Sequence, residues 1–165
     1  MRFARVLWCV ALLALPADAA AQDRLGGHFG ALFPLVTHAD GETTTISDDF
    51  VIGFPMGITV KTGSTWAFDL ELVPAIQNSP LNVSLTVHPG VIHSLGGGWA
   101  TGLRMAFDVN QASWGFTPLV NRAFPIRGSG CAFFVEGVVP VRFQQNSSGE
   151  NHTSVGFAVH TGVGF

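Results

Sequence analysis

The chain has 165 residues, of which 47% are hydrophobic and 12% are charged, and its formal net charge is −3 at neutral pH. This charge and the lack of a basic patch exclude nucleic acid as an expected partner. Beyond the first 22 residues the sequence lacks the roughly 18 consecutive apolar residues that would indicate a membrane-spanning helix.

The N-terminal residues predict a cleaved secretory signal over 1–21. A basic start is followed by the apolar run Val6–Leu15 and by the small residues of Ala17–Ala21. The apolar run is shorter than the roughly 20 residues of a spanning helix. We therefore expect an exported chain with one domain over 22–165. Its single thiol, Cys131, excludes an internal disulfide.

The remainder of the chain predicts eight antiparallel strands, because bulky apolar residues alternate with small or polar ones. Each segment has about the 9–11 residues of a tilted membrane-spanning strand. In chain order the segments are His28–Val36, Phe50–Lys61, Trp66–Ile76, Leu81–Ile92, Trp99–Val109, Trp114–Ile126, Cys131–Phe143 and Ser154–Phe165.

The connections between these segments alternate in length. Tight turns follow the second, fourth and sixth segments, at Thr62–Ser64, Gly96–Gly98 and Gly128–Gly130, where glycine is expected to supply a positive φ. Long polar loops, Thr37–Asp49 and Gln144–Thr153, follow the first and seventh segments. This places the tight turns at one end of a barrel and the long loops at the other.

Two features depart from regular alternation. In the sixth segment strict alternation places Arg122 on the apolar face, where a cation at mid-membrane costs about 2–4 kcal/mol. We therefore expect a bulge near Val120–Arg122 or a position near the rim.

Prolines also recur inside the segments and predict six bulges or local breaks, because proline donates no ladder hydrogen bond. These are Pro34, Pro55, Pro74, Pro89, Pro118 and Pro140.

The face opposite the apolar one carries the candidate functional residues. A narrow barrel is filled by its inward side chains, so charges there must pair. We expect a packed polar plug, with a narrow conduit as the alternative, and we expect Arg104 to find its partners on neighbouring strands. The predicted lumen cluster consists of Asp69, Glu71, His88, Arg104, Asp108, Glu136, Arg142 and His160.

Catalytic patterns are weak in this sequence. His152 and Ser154 fit a strand-borne histidine–serine pair only crudely, and His93 and Ser94 are adjacent and so point to opposite faces. There is no zinc-ligand spacing and no nucleotide-binding loop. We therefore predict no catalytic residue, no metal and no cofactor, with a lipid-modifying enzyme kept as an alternative.

The terminal segment places Phe157, Val159, Val163 and Phe165 on one face and ends at Phe165. Together with the strand number, the alternation and the loop asymmetry, it resembles the small eight-stranded bacterial outer-membrane β-barrels of the OmpA/OmpX-like class. The resemblance implies an all-β, up-and-down transmembrane barrel in the bacterial outer membrane. It also implies outer-membrane lipids as partners and Phe165 as an assembly signal for the barrel assembly machinery.

This class contains several functions, so the fold alone does not specify one. We expect a structural or surface-interaction protein without enzymatic activity and with an unspecified extracellular ligand. The alternatives are a narrow porin-like channel, a lipid-modifying outer-membrane enzyme, and a secreted soluble barrel that holds an apolar ligand. The last would place these residues inside: Phe33, Phe54, Leu70, Leu85 and Phe107.

Overall fold

The computed structural model describes residues 24–78, 80–109, 111–145 and 149–165, and the predicted signal over 1–21 lies outside them. The described chain forms one antiparallel sheet. Its strands are β1 (Leu25–Ala39), β2 (Glu42–Thr45), β3 (Val51–Gly53), β4 (Met56–Lys61), β5 (Trp66–Asn78), β6 (Leu81–Gly96), β7 (Trp99–Asp108), β8 (Ser113–Pro125), β9 (Ala132–Val138), β10 (Val141–Gln145) and β11 (Asn151–Gly164).

The sheet closes into a ring. β1 pairs with β11 from His28 opposite Gly164 to Ala39 opposite Ser154. Pairing then continues through β9, β8, β7, β6, β5 and β4 back to β1, so that the ring closes through eight strands. A closed sheet has no unpaired edge along its wall.

The eight predicted segments correspond to ten of the eleven strands, because two segments contain a break at one of the prolines for which a break was expected. The second predicted segment is split into β3 and β4 at Phe54–Pro55, and the seventh into β9 and β10 at Val139–Pro140. The region Thr37–Asp49, predicted as a loop, instead contains the end of β1 and all of β2. Asp40 and Gly41 make the turn between these strands, with φ of 53° and 83°.

Each break has backbone hydrogen bonds to both neighbouring strands. At the first, Phe54 N donates to Pro74 O at 2.8 Å and Pro55 O accepts from Gly30 N at 3.0 Å. An unpaired backbone group would be costly in lipid, so these bonds explain how a strand can be interrupted there.

The second break repeats this arrangement on the far side of two intervening strands of the ring, β1 and β11. Val139 N donates to Pro118 O at 3.0 Å, and Pro140 O accepts from Gly156 N at 2.9 Å. In each case the residue before the break bonds to a proline carbonyl on one neighbouring strand. The break proline then accepts from a glycine on the other neighbour.

The six prolines therefore behave differently from one another. Pro55 and Pro140 interrupt strands, and Pro34 adjoins a register shift against β11. Pro74, Pro89 and Pro118 lie within β5, β6 and β8. The β6–β7 pairing skips His88 and Pro89, so the expectation of a local break holds there on one side of the strand, whereas it was wrong for Pro74 and Pro118, which pair without interruption.

Arg122 lies near the rim, and β8 keeps one register against both β7 and β9. The suggested bulge at Val120–Arg122 is therefore wrong. The Arg122 guanidinium donates to Gly97 O in the β6–β7 turn and lies 5.2 Å from the ring centre of Trp99.

The tight turns only partly follow the glycine prediction. Gly97 and Gly98 have φ of 59° and 84°, and Gly128 and Gly130 also have positive φ. Gly63, in the turn after β4, does not, so the expectation was wrong for that turn.

Candidate functional site

The interior of the ring is charged because alternate residues of each strand point inward. On β5 the buried residues Asp69 and Glu71 alternate with the exposed Phe68, Leu70 and Leu72. The same alternation on other strands buries polar side chains in the lumen. They are His88 of β6, Arg104 of β7, Ser113 and Thr117 of β8, Glu136 of β9 and His160 of β11.

Two strand glycines let long side chains reach across an intervening strand. Gly90 of β6 pairs with Asp69 on one side and with Arg104 on the other. A Cβ on Gly90 would lie 2.6 Å from Arg104 Cγ, so glycine leaves the space through which Arg104 reaches Asp69.

Gly57 of β4 has the same role between His28 of β1 and Glu71 of β5, with which it pairs on its two sides. A Cβ on Gly57 would collide with the imidazole ring of His28. The imidazole ring of His28 therefore lies over Gly57 and reaches Glu71.

Arg104 is the centre of the cluster. Its Nε donates to Asp69 Oδ2 at 2.8 Å and its Nη1 donates to Glu136 Oε1 at 2.7 Å. Its Nη2 lies 3.8 Å from Glu71 Oε1. Buried charges need such partners, because each is removed from water.

Two histidines contact Glu71, and one of them connects it to a second arginine. His28 Nε2 lies 2.9 Å from Glu71 Oε1, and His88 Nδ1 lies 3.0 Å from Glu71 Oε2. The other ring nitrogen of His88 is 3.1 Å from Arg142 Nη2.

His160 completes the cluster from β11, with its Nδ1 3.3 Å from Glu136 Oε1. Its Nε2 is buried without a hydrogen-bond partner. Its ring lies edge-on to Phe134, with ring centres 4.8 Å apart.

Hydrogen bonds and ion pairs thus join seven of the eight residues of the predicted cluster, whereas Asp108 makes its side-chain hydrogen bond outside this network. Asp108 accepts a hydrogen bond from Thr86 Oγ1 at 2.6 Å. His28 was missing from the predicted cluster although it faces the lumen, and so was Thr59, which donates to Asp69 Oδ1 at 2.7 Å. The alternation of side chains along β1 places His28 on the inward face, and this was the sequence signal for including it.

Two cavities meet at this cluster. The turn-end cavity has a volume of about 410 Å³ and reaches Gly27 and Phe165, whereas the loop-end cavity has about 190 Å³ and reaches Thr37 and Ser154. Three residues line both cavities: Arg104, Glu136 and His160. These three residues form the partition between the two spaces.

At the loop end, exposed polar contacts connect neighbouring segments. His152 Nδ1 lies 2.7 Å from Asp40 Oδ2, which links the start of β11 to the β1–β2 turn. Asp48 accepts hydrogen bonds from the Thr45 hydroxyl and backbone N–H, and these bonds lower the pKa of its carboxyl group.

Within the described ranges, no group of three or more His, Cys, Asp or Glu side chains is arranged to hold a metal ion. In the same part of the chain, no helix is both long and apolar enough to cross a membrane. His93, one of the weak catalytic candidates, packs against Trp66 with ring centres 4.4 Å apart.

No protein-family model matches the chain, and no curated protein matches it. Among solved structures, the chain is similar to the outer membrane protein OprG from Pseudomonas aeruginosa. The match has a TM-score of 0.48 and 9% sequence identity, and it covers 85% of this chain and 93% of that one.

Proposed function

We propose that the chain is an integral β-barrel protein of the bacterial outer membrane, with a structural or surface-interaction role and no enzymatic activity. The observation that carries this proposal is the polarity of the ring. Charged side chains are buried inside, and large apolar side chains are exposed outside. Lipid is the solvent that suits this arrangement, because it favours an apolar exterior and a closed hydrogen-bonded wall.

The outer face is apolar over the whole wall and not in a single patch. Exposed residues on five neighbouring strands include Ile58 at 57%, Phe68 at 43%, Val91 at 48%, Leu103 at 45% and Val120 at 50%. A water-soluble monomer rarely exposes a continuous apolar surface of this extent. The soluble-barrel alternative needs Leu70 and Phe107 inside, whereas both are exposed.

Residues at the ends of the wall also suit a bilayer. Trp66, Trp99 and Trp114 lie at or next to strand ends and are about half exposed. Amphipathic aromatic rings prefer the membrane–water interface. Outer-membrane lipids are therefore the proposed partner of this surface, and the barrel assembly machinery is the proposed partner of the terminal strand.

Fractionation of a Gram-negative host tests this proposal. We expect the chain in the outer-membrane fraction, resistant to carbonate and extractable by detergent. In gels, its mobility should shift on boiling, because a closed barrel resists unfolding. Release by carbonate, or recovery in the soluble periplasmic fraction, would contradict the proposal.

A narrow conduit is the second candidate function, and the two cavities favour it. They approach each other from the two ends of the ring and share Arg104, Glu136 and His160 as lining residues. A rearrangement of this partition would join them into one path. Conductance in planar bilayers tests this candidate, and a silent barrel under all conditions would contradict it.

A further inference from the structure

The outer face of the wall carries a row of aromatic side chains at its loop end. Phe107 of β7 pairs with Trp114 of β8, and Trp114 pairs in turn with Phe143 of β10. The ring centres of Trp114 and Phe143 are 4.8 Å apart, and Trp114 is half exposed. Thr153 of β11, which pairs with Phe143, extends this row by a hydroxyl group. The aromatic row therefore crosses four neighbouring strands.

Amide side chains lie on the loop side of the aromatic row. Gln145 and Asn151 are paired and exposed, and they lie two residues from Phe143 and Thr153 on the same strands. Residues two apart on a strand share a face, so these amides continue the outer surface beyond the rings. A cavity of about 710 Å³ is lined by the aromatic row and by both amides. Among the described residues that line it there is no lysine or arginine.

Aromatic rings beside amide groups suit a sugar. The C–H groups of a pyranose pack on an aromatic face, and its hydroxyl groups donate to and accept from amides, which have both functions. A phosphate group is instead bound best by cations, and none lines this cavity among the described residues. The chemistry of the cavity therefore favours the sugar part of a ligand over a phosphate.

The aromatic row is continuous with the apolar wall. The same strands expose apolar residues on the side away from the loops, among them Leu103 of β7 and Val155 of β11. A molecule that covers both the wall and the amides must carry acyl chains next to sugars. A soluble sugar would cover only the amides and the rings.

The turn end of the wall has a different chemistry. There the Arg122 guanidinium lies 5.2 Å from the ring centre of Trp99, and an arginine is suited to a phosphate headgroup. The two ends thus correspond to the two leaflets of an outer membrane, which have phospholipid on the periplasmic side and lipopolysaccharide on the outside.

We propose that the loop end of the wall binds lipopolysaccharide, with a sugar ring packed on Trp114 and hydrogen-bonded by Gln145 and Asn151. The acyl chains of the same molecule then contact the apolar wall beside the aromatic row. This proposal rests on the proposed membrane function, with the loop end facing outward, and names the lipid class and the site.

Indole NMR of the refolded barrel, labelled at tryptophan and held in detergent micelles, tests the site. The described residues contain three tryptophans, of which Trp66 and Trp99 lie at the turn end. The probe is rough lipopolysaccharide, which has acyl chains and core sugars. We expect a saturable shift of the Trp114 indole signal and no comparable shift of the other two. Equal shifts of all three signals, or no shift, would overturn the proposal.

Substitution of the stacking ring should weaken binding, measured by titration calorimetry. Trp114→Ala is expected to lower the affinity by about tenfold or more, as for loss of an anchoring aromatic side chain. The matched control is Trp66→Ala, since Trp66 is also about half exposed and packs on a ring, that of His93, but lies at the turn end. Equal weakening by the two substitutions would overturn the proposal.

The amides provide a test that does not depend on refolding of Trp114→Ala. Gln145→Ala and Asn151→Ala should each lower the affinity by about two- to tenfold, as for loss of one hydrogen bond. The control is Asn82→Ala, because Asn82 is an exposed amide at the loop end that does not line the cavity. Unchanged affinity in both amide variants would overturn the proposal.

Two further probes separate the parts of the ligand. Core oligosaccharide freed from its lipid should shift the Trp114 signal with lower affinity, because it lacks the acyl chains. Phosphatidylglycerol, which has acyl chains and a phosphate but no sugar, should not shift it selectively. If phosphatidylglycerol shifts the signal as strongly as lipopolysaccharide does, sugar recognition is wrong.

Recovery of the chain in the outer-membrane fraction is scored separately. An outer-membrane barrel that shows no selective response to lipopolysaccharide contradicts this proposal alone, whereas recovery in the soluble fraction contradicts the membrane function on which it rests.

Discussion

The two faces of β7 carry side chains of opposite polarity in opposite environments. Arg104 is buried and contacts three carboxylates, whereas the preceding residue, Leu103, is 45% exposed on the outer wall. The charged residue lies where a soluble protein would place its apolar core. The comparison indicates that charged side chains can be buried in this ring because they are paired. Apolar side chains can be exposed on its outer face if the surroundings are also apolar.

Removal of Arg104 is expected to have the largest effect on stability and tests the buried half of this comparison. Arg104→Ala leaves Asp69, Glu71 and Glu136 without their shared cation and should lower the free energy of unfolding by about 3–5 kcal/mol if the interior is dry. Urea unfolding of the refolded barrel measures this change. Leu103→Ala is the matched control and should cost less. An equal effect of the two substitutions would contradict the inward role of Arg104.

A charge on the outer face tests the other half of the comparison. Leu103→Arg should lower the free energy of unfolding in lipid by about 2–4 kcal/mol, since an arginine near mid-membrane is poorly solvated. The control is Leu103→Met, which keeps the side chain apolar. Unchanged stability of Leu103→Arg in lipid vesicles would indicate that this face is not in contact with acyl chains.

Deletion of Phe165 separates assembly from stability. Phe165 N donates to Gly27 O, and Phe165 O accepts from Gly27 N, each at 2.9 Å. Loss of these two bonds should cost about 1–3 kcal/mol in the refolded barrel. We expect a proportionally larger loss of insertion in cells, measured by outer-membrane yield, with Phe165→Leu as the backbone-preserving control. Normal insertion in cells would remove the assembly role.

The smallest expected effect is at the rim, where a cation lies on the outside of the ring. Arg122 lies 5.2 Å from the ring centre of Trp99 and 5.3 Å from that of Phe124. Arg122→Ala should cost about 0.5–1 kcal/mol in urea unfolding, as expected for an exposed cation–π contact. A loss comparable to that of Arg104→Ala would mean that Arg122 is not a rim residue.

The faces of the strands could be predicted from the sequence because a strand alternates with a period of two. This is why Asp69, Glu71 and Arg104 were placed in one interior without knowledge of register. Their actual pairing depends on Gly90 and on the alignment of β5, β6 and β7, which the alternation does not determine.

The strand breaks were harder to predict because the prolines look alike in sequence. Pro55 interrupts a strand and Pro74 does not. The two lie close together, because Phe54, the residue before Pro55, donates its N–H to Pro74 O. The outcome depends on which backbone groups of adjacent strands are available. The β1–β2 hairpin did have a local signal, the turn pair Asp40–Gly41, within a segment interpreted as a loop.

The positions of the two proline breaks have a consequence for the order in which the wall can form. In the described ring, neighbouring strands follow one another along the chain except at β1 and β11, which come from its two ends. Joining them is the step with the greatest loop-closure entropy. The breaks at Pro55 and Pro140 lie in the strands on either side of this seam, so the last strands to meet are flanked by interrupted strands whose backbone is hydrogen-bonded to both neighbours in the closed ring.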